Sequence, residues 1–150
     1  MNVSWVLDRV GRHADPPVLP WHQKESAYCM NDDLNRSLLE DLVVSGLDDW
    51  VDEAEVIGNI ARRAAEDLDD RFAIAVGLIQ TAILRGLVIP GGLTNEGFDA
   101  WSLSETDAAS QVLSRWVAFD NPAVLPGDVV WLKNTDKGDA LGLAALERES

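Results

Sequence analysis

A chain of 150 residues with 47% hydrophobic side chains is long enough to bury one core and too short for two independent ones, so one domain is expected. A formal net charge of −14, from 26 acidic against 12 basic residues, opposes contact with polynucleotide, and the single cysteine, Cys29, excludes an internal disulfide framework and fits a reducing compartment. No stretch approaches the roughly 18 uninterrupted apolar residues of a membrane span. Asp8 also stands where a signal peptide needs a basic start and an apolar run, so a soluble, cytoplasmic chain without membrane contact is expected.

In chain order, Ser4 is placed to cap a short helix that Gly11 ends. Pro16, Pro17 and Pro20 then favour polyproline II, so residues 1–30 read as a first helix and a proline-rich arm, anchored by Trp21 and Tyr28. His13, His22 and Cys29 are the soft metal-ligand candidates of this region, but their spacing fits no zinc pattern. The globular domain is expected over 31–150. Asn31 serves as N-cap for a helix with Leu34, Leu38, Leu39, Leu42 and Val43 on its apolar stripe, up to Gly46. Trp50 and Val51 form a very short strand. Asp52 and Glu55 make a capping-box-like pair for a helix starting near Glu53 and ending around residues 65–68, which turns Val56, Ile57, Ile60, Ala61 and Ala64 inward.

The stretch RFAIAVGLIQTAILRGLVIP, residues 71–90, is apolar around most of a helical circumference, with Arg71, Gln80, Thr81 and Arg85 as its polar positions. That pattern predicts the central helix, capped by Asp69 or Asp70 and closed by Gly86, followed by a strand over Leu87, Val88 and Ile89 that Pro90, Gly91 and Gly92 end as a turn. Phe98, Trp101 and Leu103 suggest a second strand pairing with it. Ser104 with Asp107 starts a further helix carrying Val112, Leu113 and Trp116. Val129 to Leu132 reads as a third strand and Thr135 caps a last helix. The fold class is therefore mainly α with a small antiparallel β element, that is, α+β.

The order helix, short strand, helix, helix, strand, glycine-bearing turn, strand over 31–103 resembles a winged helix-turn-helix. IQTAILRGLVIPGGLTNEGF looks like the end of the third helix and the wing of that superfamily, and WLKNTDKGDALGLAAL like the strand-turn-helix that closes several members. The resemblance implies a core of three helices and a β-hairpin, with two C-terminal helices over 104–150. It also implies a DNA-binding regulator, dimeric through its terminal helices. Charge argues against that role: the helix matching the reading helix is the apolar central one, and Asp48, Asp49, Asp52, Glu53, Glu55, Glu66 and Asp67 would oppose phosphate. Arg62 and Arg63 are expected to pair with nearby carboxylates.

Residues 31–70 hold 13 acidic against 3 basic side chains, so the excess charge is concentrated in the first half of the domain. No nucleophile motif, phosphate loop or metal cluster accompanies it, DDWVDEAEV lacks the alternation of a calcium loop, and neither an enzyme nor a cofactor is expected. The leading expectation is a non-catalytic acidic interaction protein, an inhibitor or immunity protein that masks the basic surface of a toxin or enzyme. Its contact residues would be Asp48, Asp49, Trp50, Asp52, Glu53, Glu55, Glu66 and Asp67, with Trp50 as the anchor.

Overall fold

The computed structural model describes residues 21–119 and 125–149, with the side chains of residues 21–32 outside that description. The arm's prolines, His13 and the first predicted helix lie outside the described residues, as do the side chains of Trp21, His22, Tyr28 and Cys29. In chain order the elements are α1 (Trp21–Ser45), β1 (Val51–Asp52), a short helical run α2 (residues 53–63), α3 (Leu68–Leu84), β2 (Val88–Thr94), β3 (Gly97–Ala100), α4 (Glu105–Ala118), β4 (Trp131–Asn134) and α5 (Asp136–Glu149). The protein is mainly helical with one small antiparallel four-stranded sheet, ordered β1-β4-β2-β3.

Helix α3 takes the central place its apolar circumference predicts, burying Phe72, Ala75, Val76, Leu78, Ile79, Ala82 and Ile83. It ends at Gly86, whose φ of 71° lets its N–H donate to Ile83 O at 3.0 Å and the Leu87 N–H donate to Ala82 O at 2.9 Å. Further carbonyls at this end are met by the β4–α5 junction. The Thr135 hydroxyl donates to Gly86 O at 2.6 Å, Lys137 Nζ donates to Arg85 O at 2.9 Å, and the Thr135 N–H donates to Leu87 O at 3.0 Å. Thr135 also caps α5 by accepting the Gly138 N–H at 3.0 Å, as Ser104 caps α4 and Asp52 caps α2. Gly138 packs so closely on the Leu87 carbonyl that no Cβ fits there.

The core is one cluster running from Leu38 on α1, through α3 and Trp116 on α4, to Leu132 on β4. Phe72 and Trp116 meet edge-on at 5.2 Å inside it.

Several sequence expectations need correction. Helix α1 begins at Trp21, so Asn31 lies within it rather than capping it, and residues 21–30 are helical rather than an extended arm. The N-cap of α3 is Asp67, with Asp69 and Asp70 in the first turn. The helix starting at Glu53 passes from an α turn into a π segment, Val56–Ile60, and a 3₁₀ turn, Ala61–Arg63, and ends there. Pro90, Gly91 and Gly92 do not end a strand: β2 runs through them to Thr94, and the turn is Asn95–Glu96. Val88 and Ile89 accordingly pair with β4, while β3 pairs with residues 91–94 and stops before Trp101. The last strand starts at Trp131, two residues later than the apolar run suggests, because Val129 and Val130 enter the core ahead of it.

Candidate protein-interaction face

Strand register divides the sheet into two faces. Val51, Leu132 and Val88 point into the core and are buried. Alternation therefore places Asp52, Trp131, Lys133, Ile89, Gly91, Leu93 and Phe98 on the opposite side, with Trp50 preceding β1 in the same phase as Asp52. This second face is open to solvent: Ile89 is 37% and Leu93 44% exposed, and Trp50, Phe98 and Trp131 are half-buried.

Three aromatic rings organise it. Trp50 lies 5.8 Å from Phe98, centroid to centroid, and Lys133 Nζ sits 6.0 Å from the Phe98 ring. Phe98 lies across Gly91, where a Cβ would collide with its ring and with the Asp99 backbone, so glycine is the residue that lets the ring settle on the sheet. Trp131 is adjacent to Asp52 across the β1–β4 ladder, and its indole edge is covered by Gly127.

Carboxylates border the rings. Asp49 accepts the Trp50 N–H at 2.7 Å and Asp52 accepts the Glu55 N–H at 2.9 Å, so each shapes the backbone that carries an aromatic or a helix start. Burial, and then the negative charges of Asp52 and Asp49, push the Glu55 carboxyl above its ordinary value. Asp49, Asp52 and Glu55 thus share one local field beside Trp50.

The remaining expected contact residues divide. Glu53 is no surface carboxylate: it is fully buried, with Oε2 accepting the Gly127 N–H at 3.0 Å and Oε1 accepting the Val129 N–H. Its pKa is raised by desolvation, which outweighs the lowering by those two backbone donors, and Asp52 adds repulsion. It is a brace for the segment entering β4. Asp48 lines a groove between α1 and α5. Glu66 and Asp67 are exposed in the turn before α3, beyond the end of the helical run that starts at Glu53. Trp131, Phe98 and Lys133 belong to the face although the charge pattern did not point to them. For Trp131 and Lys133 the signal was their alternation around Leu132, which marks a strand with one wet side.

The polar positions of α3 are engaged internally. Arg71 Nε donates to Ala65 O at 2.7 Å, Gln80 donates to Ala109 O at 3.0 Å, and the Thr81 hydroxyl donates to Gly77 O at 2.7 Å. Arg63 pairs with Asp41 and reaches Ser37, as an ion-pair role predicts. Among the described residues no three His, Cys, Asp or Glu side chains are grouped to hold a metal ion, and no helix is long and apolar enough to cross a membrane. No family model, characterised protein or solved structure matches this chain.

Proposed function

We propose that the chain is a non-catalytic acidic interaction protein of the cytoplasm, an inhibitor or immunity protein that masks a basic surface of a toxin or enzyme. The observation that carries the reading is the open sheet face, with Trp50, Phe98 and Trp131 at its centre and Asp49, Asp52 and Glu55 along its border. Aromatic side chains on a rigid sheet give contact area at low entropic cost, and a negative border speeds the approach of a cationic partner. The scaffold beneath it we read as winged-helix-like on element order, with one departure: β4, rather than the second strand of the hairpin, lies beside β1. A DNA-reading role is disfavoured by the internal engagement of Arg71, Gln80 and Thr81, which leaves Arg85 as the exposed cation at the end of α3.

The test is affinity capture from the producing cell in parallel with mixed duplex DNA at low salt. A basic protein retained by the wild type, released by salt and lost on Trp50→Ala with Trp131→Ala supports the reading. Salt-sensitive retention of duplex DNA would favour a regulator instead.

A further inference from the structure

Apart from the sheet face, α1 and α5 leave an apolar groove of about 530 Å³ between them, floored by Val44, Leu47, Leu143 and Leu146 and bordered by Asp48 and Asp139. Its origin is local. A Cβ at Gly142 would press on the Val43 carbonyl and the Leu47 side chain, so the helices approach closely there, and Gly142 and Ala145 are spent on that seam. Leu143 and Leu146 fall on the neighbouring strip of α5 and remain 55% and 41% exposed. The cations of α5 are engaged elsewhere. Arg148 near its end is tied to Glu40, and Lys137 at its start to Arg85 O.

We propose that this groove is a second docking site, and that its occupant is a cationic amphipathic helix of a protein partner; the proposal rests on reading the chain as an acidic interaction protein. The floor runs from Asp139 to Leu146, about 10 Å at 1.5 Å per residue, which is two turns of an incoming helix. Two leucine-sized side chains three or four residues apart would fill it. Lysine or arginine beside them would meet Asp48 and Asp139, whose side chain receives one hydrogen bond, from Asn134 at 3.1 Å. A second copy of the chain is the poorer occupant, because it would bring a further net charge of −14 to an acidic border.

The experiment uses the full chain and a fluorescent peptide of leucine and lysine, roughly four turns long, with its leucines at helical spacing. The control is the same peptide with every lysine replaced by glutamate. Fluorescence anisotropy should show salt-sensitive binding of the lysine peptide, and at least about tenfold weaker binding of the glutamate peptide. Leu143→Ser with Leu146→Ser, both exposed and so compatible with folding, should weaken the lysine peptide about tenfold or more, and Asp48→Asn about threefold with a shallower salt dependence. Circular dichroism of each variant confirms that the fold is kept. Binding that ignores the leucine pair, or a glutamate peptide that binds equally well, overturns the groove. If binding instead falls only on Trp50→Ala with Trp131→Ala, the groove fails while the sheet-face reading stands. Absence of any lysine-peptide binding also overturns the groove and leaves the sheet face to its own capture test.

Discussion

Buried Glu53 and half-buried Trp131 are joined through one glycine: the Gly127 N–H donates to Glu53 Oε2 at 3.0 Å, and the Gly127 Cα faces the Trp131 indole with no room for a side chain. The carboxylate expected at the surface thus acts inside the fold, fixing the loop that sets an aromatic ring on the open face.

Gly127 has a φ of 81°, a conformation that residues with a Cβ adopt at a cost, and its missing Cβ would strike Trp131. Gly127→Ala should destabilise the protein by about 1–3 kcal/mol and shift Trp131 fluorescence in the native state. Chemical denaturation and an emission spectrum check both; an unchanged spectrum would break the link between loop and ring.

Glu53 gives a pH dependence with a definite sign. Its folded pKa is raised, so the native state holds the proton more tightly than the unfolded chain. Its contribution to stability is therefore fully present below the unfolded value of about 4.3 and is lost as pH rises through the raised folded value. Glu53→Gln cannot ionise, so the stability difference between variant and wild type should move in the variant's favour as pH rises across that window. Glu53→Ala instead leaves two backbone amides, one buried and one half-buried, without their acceptor and should cost about 1–3 kcal/mol for the buried one at low pH. Urea unfolding at several pH values measures all three proteins, and a constant difference between wild type and the glutamine variant would contradict the assignment.

Two helix glycines should respond in opposite directions. Gly77 in the middle of α3 has no atom within 4 Å of the place a Cβ would occupy, so Gly77→Ala should stabilise by about 0.5–1 kcal/mol. Gly138→Ala collides with the Leu87 carbonyl and should cost about 1–3 kcal/mol by forcing α5 away from the end of α3. Thermal melts of the pair provide the check.

Much of the scaffold was readable because its signals are local. The circumference of α3, the Gly86 terminus and the caps at Asp52, Ser104 and Thr135 each involve residues a few positions apart. What could not be read depends on distant partners. Pro90 and Gly91 look like strand breakers, but Pro90 stays in β2, where its carbonyl accepts the Trp101 N–H at 3.0 Å, and Gly91 is there because Phe98 needs the space. The burial of Glu53 depends on residues more than seventy positions away, so composition places it with the other carboxylates while tertiary structure removes it. Asp49, Asp52 and Trp50 were identified from clustered charge; their neighbours Phe98 and Trp131 arrive through strand pairing.

Charge and anchor should separate kinetically. Asp49→Asn, Asp52→Asn and Glu55→Gln together keep an Asn cap for α2 yet remove the border field, and should slow association with a basic partner about tenfold at low salt with little change in dissociation. Trp50→Ala or Trp131→Ala should instead speed dissociation, with a loss of about 2 kcal/mol or more in binding. Stopped-flow or surface-based kinetics with the captured partner distinguish the two classes.

Hydroxyl-radical footprinting of the protein alone and bound to its captured partner tests the central claim most directly, since it reads the side chains of the sheet face and an exposed ring on a helix end in one experiment. Trp50, Phe98 and Trp131 should become protected in the complex, while exposed Phe119, following α4, keeps its reactivity. Protection of Phe119 with an unchanged sheet face would contradict the account.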